Sequence, residues 1–556
     1  MLISERYIKL PVSKTACEKF LCFFKDGKLV YDIAVRLDTV NPDTYFYYDL
    51  SDFAGQDLVI AAYPYMDYTS ANLLNMPEPT FEKYYLRDFC GMSTDFTMPV
   101  AADYSFEFVN KIPSVQNMQS DKFRPQLRFT AQRGWINDPN GLVFYEGRYH
   151  LFFQHNMAGS TWGNMSWGHA VSEDLLHWTM LDEALLPDET GVMWSGSAVV
   201  DSKNLTGLKE NQHDVLLLYY TAAASYNIIS SGKKFCQCLA YSTDGGYTFK
   251  KYNKNPVIDF EAVESRDPWV VYSDKDKCYY CALFLHDAVF GIYRTYNLLD
   301  FEKTQEISLS GDAECPALYP IKDQNGNEYW VLSGAHGVYS VGKMENGQFI
   351  KEQSEQPMTY GVGNAAYAAQ TFNGLDGRRV RMAWDTSGIQ SGLIGGAMTI
   401  PTEISLKNKD GKLQLCNYPV NEFSTLRYNE KDCHLNLLQN ELKCIGLSGK
   451  FNDIKLVSKQ KSGVMAISLL GLNFIVDFDK SVITYSKFEM PVVLKDGSFE
   501  IRIITDTAST EIFLANGEAS ALVCHIADES ISQLRIKTSV KAEVNVNIAK
   551  LKSIWE

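Results

Sequence analysis

Three stretches decide how this chain is read: NDPNGLVFYEGRYHLFFQ at 137–154, SRDPWVVYSDKDKCYYCALF at 265–284, and ECPALYPIKDQNGNEYWVLSG at 314–334. Each begins with an acid beside or near a proline. Each continues through an apolar strand, a polar turn and an aromatic strand. The acids are Asp138, Asp267 and Glu314. A single Asn-Asp-Pro-Asn-Gly corner is usually only a turn, because Pro fixes one dihedral and Gly permits a positive one. A turn does not need a carboxylate, and here one recurs three times in the same place.

Two more motifs fill the pattern, WSGSAVV from 194 and YAAQTFN from 367. The steps from Asp138 through Ser195, Asp267 and Glu314 to Tyr367 are 57, 72, 47 and 53 residues. Five units of roughly 40–70 residues, each of several strands, predict a five-bladed β-propeller. A closed ring brings the first strand of every blade to one axis, so acids distant in sequence can face one funnel.

The flanks are also strand-rich, giving an all-β fold. Residues 1–120 alternate polar and apolar, with a hairpin at Asp26-Gly27, and predict an extra N-terminal β-sandwich-like domain. TFEKYYLRDFCGM, 80–92, reads ambiguously. The propeller is expected over 121–407, a linker over 408–430, and a C-terminal β-sandwich over 431–556 with a hairpin turn at Asn516-Gly517.

Composition narrows the function. The 556 residues are 46% hydrophobic and 21% charged, with net charge −15. That balance describes a folded chain and disfavours nucleic acid, which needs a basic footprint. No membrane-length apolar run is present, and MLISERYIKLPV lacks the apolar core of a secretory leader, so the expected location is the cytoplasm. The 12 Cys sit mostly in strand-like runs and read as reduced core thiols. Cys278 and Cys281, three apart on a strand, should point to opposite faces and chelate poorly. The nine His show no zinc-binding spacing. No metal and no cofactor are expected.

WINDPNG, LFFQHN, WGNMSWGHAVSEDLLHW, WSGS, SRDP, ECP and YAAQTF, in this order, resemble the signatures of the β-fructofuranosidases of glycoside hydrolase family 32. The resemblance continues through GAMTIPTEISLK and PVNEFSTLR into STEIFLANGEA. It implies a propeller with a C-terminal sandwich, and a retaining hydrolase acting on terminal β-D-fructofuranosyl units of sucrose or β-fructans. Carried onto this sequence, Asp138 resembles the nucleophile and Glu314 the general acid and base. Asp267 resembles the residue that holds fructose hydroxyls at the transition state, with Arg266 expected to keep it ionised. Retention places the two reacting carboxylates roughly 5–5.5 Å apart. Asn137, Gln154 and Ser195 are candidate hydroxyl partners, and Trp162, Trp194 and Trp384 candidate walls of the sugar site. Trp194 stands where Phe is common and Thr402 where Arg is frequent; both changes are expected near the funnel rim. Fructosyl transfer, in which a sugar hydroxyl replaces water, uses the same residues. A sugar-binding propeller without turnover is the alternative from another class, and a homodimer through the C-terminal domain is one expected assembly.

Overall fold

The computed structural model describes residues 2–64, 106–116, 118, 121–361, 366–409, 411–486 and 488–556. The ambiguous stretch 80–92 lies outside them. The described chain is overwhelmingly β, with only short 3₁₀ turns as helical elements.

Between residues 134 and 419 the strands form antiparallel sheets in chain order. The first runs through Gly134–Tyr145, Arg148–Asn156, Ser166–Ser172 and Thr179–Met180. The second begins with Val192–Asp201, the third with Arg266–Ser273 and the fourth with Ala317–Lys322. A last group holds Ala366–Thr371, Val380–Gln390, Thr402–Lys409 and Lys412–Pro419. It is fused to the first sheet by parallel pairing of Ile394–Met398 with Gly134–Tyr145. The five leading strands pack in sequence: 134–145 on 192–201, then 266–273, 317–322 and 366–371, which returns to 134–145.

The middle strands explain why the sheets stack face to face. Val215–Ala223, VLLLYYTAA, is buried at every position. Leu216, Leu218, Tyr220 and Ala222 enter one hydrophobic cluster, while Val215, Leu217 and Tyr219 enter another. A strand covered on both faces reads as a continuous apolar run, because its period of two is hidden. Cys278 and Cys281 separate in the same way, one into each of two clusters.

At the N-terminus, Tyr7–Val12, Thr44–Asp49 and Glu107–Val109 form one three-stranded sheet. Lys19–Lys25, Lys28–Val35 and Val59–Pro64 form another. Ile8, Leu10, Phe46 and Tyr48 of the first share a core with Leu21, Phe23, Ile33 and Val35 of the second. Asp26 and Gly27 take positive φ at the expected hairpin. At the other end, an eight-stranded and a six-stranded sheet share a core that includes Ile454, Ile501 and Ile503 with Ile467, Phe474 and Ile536.

The expected linker at 408–430 is different in the structure. Lys412–Pro419 pairs along its whole length with Thr402–Lys409, Asn421–Leu426 is a 3₁₀ turn, and Arg427–Leu437 already belongs to the C-terminal sheet. This strand is also a docking surface. Gly517, at φ 89°, sits where a Cβ would lie 2.3 Å from the Asn417 carbonyl oxygen. The Asn-Gly hairpin therefore seats on a backbone that tolerates no side chain there.

Buried charge fastens the C-terminal domain to the central array. Arg128, fully buried, donates to Asp506 at 2.8 Å and Glu511 at 3.0 Å, and lies 3.4 Å from Asp385. Ser509 donates to the same Asp385 oxygen, Oδ2, at 2.6 Å. Asp385 follows Trp384, so the contact braces the strand that carries one wall of the cavity described next.

Candidate active site

The ends of the leading strands surround a cavity of about 530 Å³. Asp138, Asp267 and Glu314 all line it, the first two from leading strands of two sheets and Glu314 from the bend just ahead of Ala317–Lys322. So do Asn137, Gln154, Trp162, Trp194, Ser195, Arg266 and Trp384, every residue that the sequence nominated.

Local backbone irregularity aims these side chains. Pairing slips between Ile136 and Pro139, around Asp138, and between Trp194 and Gly196, around Ser195. It slips again between Arg266 and Trp269, around Asp267, and between Tyr367 and Gln370. A bulge turns a side chain out of the strand's regular alternation. Positive φ marks the Asp267 bulge, at 65°, and the corner at the consecutive Glu314 and Cys315, at 56° and 38°. Such conformations are costly for these residue types and persist only where the surroundings enforce them. Gly196 shows the tightness of the packing, since a Cβ there would lie 1.9 Å from the Tyr219 carbonyl oxygen.

Asp138 is set among donors. Ser195 Oγ donates to its Oδ2 at 2.7 Å and Asn137 Nδ2 to its Oδ1 at 3.0 Å. Trp135 Nε1 donates to Asn137 Oδ1 at 2.9 Å and fixes that amide. Asn140, oriented by its partners, accepts from Gln154 Nε2 at 2.8 Å and donates to Ser195 Oγ at 3.2 Å. Burial raises the Asp138 carboxyl above its usual range, and the Asn137 and Ser195 donors oppose that rise.

Asp267 is 5% exposed. Its N–H donates to Thr221 Oγ1 at 2.9 Å, and Thr221 in turn donates to Gln237 at 2.7 Å. The Cys315 N–H donates to Asp267 Oδ2 at 2.9 Å. The Cys315 thiol lies between two carboxylates, 3.5 Å from Asp138 Oδ2 and 3.4 Å from Asp267 Oδ2. Burial keeps that thiol protonated, so its single S–H is shared between the two oxygens.

Arg266 serves its expected partner, opposing the rise of the Asp267 pKa by its charge, and also a second carboxylate. Its Nη2 donates to Glu314 Oε1 at 2.8 Å, while the nearest approach to Asp267 is 3.9 Å. The guanidinium stacks on Phe284 at 4.5 Å. Tyr367 donates to Glu314 Oε2 at 2.7 Å, so both Glu314 oxygens accept hydrogen bonds. Burial holds the Tyr367 hydroxyl protonated well beyond any working pH.

Burial pushes the Asp267 carboxyl up to about 7, against the opposing charge of Arg266. This has a stability consequence. The native state holds that proton more tightly than the unfolded chain does. The contribution is complete below about pH 4 and is lost as pH rises through about 7. Asp267→Asn removes the titration. Its Tm is expected to gain on the wild type by several degrees between pH 5 and about pH 8; a constant difference across that range would contradict the burial argument.

Aromatic rings form two groups around the acids. Trp194 packs on Tyr226 at 4.5 Å and on Phe235 at 5.2 Å, with Trp162 against Tyr226 at 6.1 Å. Trp135, Trp384 and Tyr367 make the other group, at 5.9 and 6.1 Å. Trp162 is half exposed and forms the outer lip. Thr402, expected at the rim, is buried instead and donates to the Arg381 carbonyl. Tyr226, Phe235, Thr221 and Gln237 were not singled out by sequence. Gln237 had the best available signal, a buried amide between two Cys in an apolar strand.

Comparison with known proteins places this architecture. The family model for the glycosyl hydrolases family 32 N-terminal domain matches residues 128–419. The chain is similar to a levanase of Bacillus subtilis, at 29% identity over 78% of this chain and 71% of that one. It is similar to an extracellular exo-inulinase of Aspergillus awamori, at 28% identity over 78% of this chain and 95% of that one. The crystal structure of exo-inulinase from that organism superposes with a TM-score of 0.70 at 25% identity, covering 78% of this chain and 99% of the other. The matched region contains all three carboxylates and the strands that carry them, and on that ground the chain belongs to glycosyl hydrolase family 32.

Proposed function

We propose that this glycoside hydrolase releases fructose from terminal β-D-fructofuranosyl units of sucrose and β-fructans by two successive displacements. The observation that carries the reading is the convergence of Asp138, Asp267 and Glu314 in one aromatic-walled cavity. Asp138 attacks the anomeric carbon of the fructosyl unit. Ser195 and Asn137 hold its two oxygens in place for that attack. Glu314 protonates the departing oxygen and then takes a proton from the water that hydrolyses the fructosyl-enzyme. Tyr367 and Arg266 orient Glu314. Asp267, anchored through Thr221 and Cys315, holds sugar hydroxyls and stabilises the positive charge that develops on the ring.

The architecture we assign is a five-bladed propeller over about 121–419, between an N-terminal and a C-terminal β-sandwich. The closed packing of five leading strands supports the ring, and a core shared between two sheets supports each sandwich. Neutral substrates suit the cavity. Among the described residues lining it, Arg266 is the only Lys or Arg, and it is engaged by Glu314. That disfavours a phosphorylated sucrose.

The test is separate incubation with sucrose, inulin and levan, followed for free fructose. Fructose from at least one of them is expected. A protein that binds these sugars and releases no fructose would overturn the reading in favour of a binding module.

A further inference from the structure

The N-terminal domain lies outside the family match, which begins at residue 128. It contacts the catalytic array at several places, among them Arg6 and Tyr7 on Asp182 and Tyr45 on Arg133. Two others grip the loops that carry the outer aromatic wall of the cavity.

The first grip is a buried carboxylate. Asp32, 4% exposed on strand Lys28–Val35, accepts from the Ile228 N–H at 2.9 and 3.0 Å and from the Ile229 N–H at 3.2 Å. These amides open the short 3₁₀ turn Ile228–Ser230, two residues after Tyr226. Amides at the start of a turn have no partner within it, and the carboxylate supplies one. Ile228 packs with Phe20, Cys22 and Phe24, and Ile229 packs against the N-terminal core.

The second grip reads the edge of the same strand. Lys28–Val35 is the outer strand of its sheet, so part of its backbone lacks a strand partner. Asn164 supplies one. Its Oδ1 accepts from the Ala34 N–H at 2.8 Å and its Nδ2 donates to the Ala34 carbonyl at 2.7 Å. Asn164 lies two residues after Trp162 and takes φ 46°, and its Nδ2 also donates to Asn156 at 3.1 Å. Met157 and Ala158 of the same loop enter the N-terminal core.

We propose that the N-terminal domain is part of the substrate site: through Asp32 and Asn164 it positions Tyr226 and Trp162, and so sets affinity for the sugar units beyond the fructosyl unit being cleaved. Asp32 and Asn164 touch no substrate and act as positioning residues. The inference rests on the glycosidase reading above and extends it to longer substrates. Aromatic faces at the lip suit the apolar faces of a fructan chain, whereas a small leaving group does not reach them.

The experiment compares Asp32→Asn and Asn164→Ala with wild type on two substrates, methyl β-D-fructofuranoside and a short β-fructan oligosaccharide. Asparagine at 32 retains one acceptor oxygen where the carboxylate uses two. For the oligosaccharide, KM is expected to rise about ten-fold with kcat nearly constant. For the methyl fructoside, kcat/KM should change less than about two-fold. Equal losses on both substrates, or no loss on either, would overturn the proposal. If Asp32→Asn does not fold, Asn164→Ala decides alone. A second readout is independent of turnover. In protein labelled with 5-fluorotryptophan, the Trp162 resonance, assigned with Trp162→Phe, should shift or broaden in both variants; an unmoved resonance contradicts the clamp. A wild-type protein inactive on both fructosides would instead count against the glycosidase reading, while the resonance would still report on the clamp.

Discussion

Asp138→Asn is expected to lower kcat/KM on sucrose or fructan by about four to six orders of magnitude, with little change in Tm. The amide is nearly isosteric. Its oxygen can still accept from Ser195, so the bulge between Ile136 and Pro139 has no reason to rearrange. What disappears is the nucleophilic oxygen. The loss is expected to exceed that for the surrounding residues because in the proposed mechanism they stabilise or orient, whereas Asp138 forms the bond. Thermal melts would separate this effect from unfolding. A variant that retains more than about one per cent of wild-type turnover would assign the nucleophile elsewhere.

Glu314→Gln should separate substrates by their leaving groups. A sugar alkoxide is a poor leaving group and needs a proton in the transition state; an activated aryl oxide does not. General acid catalysis is commonly worth about 10²–10⁴ in rate. The variant is therefore expected to lose about that much on sucrose. On an activated aryl β-D-fructofuranoside the first step should fall by about ten-fold or less. The second step should also suffer, because in the proposed mechanism Glu314 is the base that activates water. Fructosyl-enzyme should then accumulate, and a small anion such as azide, which needs no base, should restore turnover. Glutamine can keep hydrogen bonds to Tyr367 and Arg266, so equal losses on both substrates would point to a positional role and not to proton transfer.

Much of this site was legible before any coordinates. The recurrence of an acid ahead of an apolar strand located the three carboxylates, because each leading strand must repeat the same entry to the ring. Ser195, Gln154 and Trp194 sat inside the repeated stretches, whereas Trp162 was named through the resemblance, in WGNMSWGHAVSEDLLHW, and Trp384 in the run MAWDTSG beyond the repeats. Residues outside them were hidden. Tyr226 and Phe235 lie in connecting segments whose course depends on what packs against them, and for Tyr226 that partner is a domain about 200 residues earlier in the chain. Arg266 acts on its sequence neighbour Asp267 as expected, but its hydrogen bond to Glu314 was hidden, because a guanidinium on a long stem reaches residues distant in sequence. The stretch read as a linker failed for a related reason. Strand Lys412–Pro419 is short and punctuated by Asn417 and Pro419, yet Asn417 carries the carbonyl against which Gly517 packs. Its order comes from full-length pairing with Thr402–Lys409 and from the domain that docks on it, and local composition records neither.

The most direct test of the account is to find the atom that carries the sugar. Glu314→Gln would be mixed with an activated aryl β-D-fructofuranoside, quenched in acid and digested, and the peptides weighed. The account predicts one peptide heavier by a single anhydrofructose unit, with the ester on Asp138. An adduct on Asp267, or product formation with no adduct on any carboxylate, would contradict it.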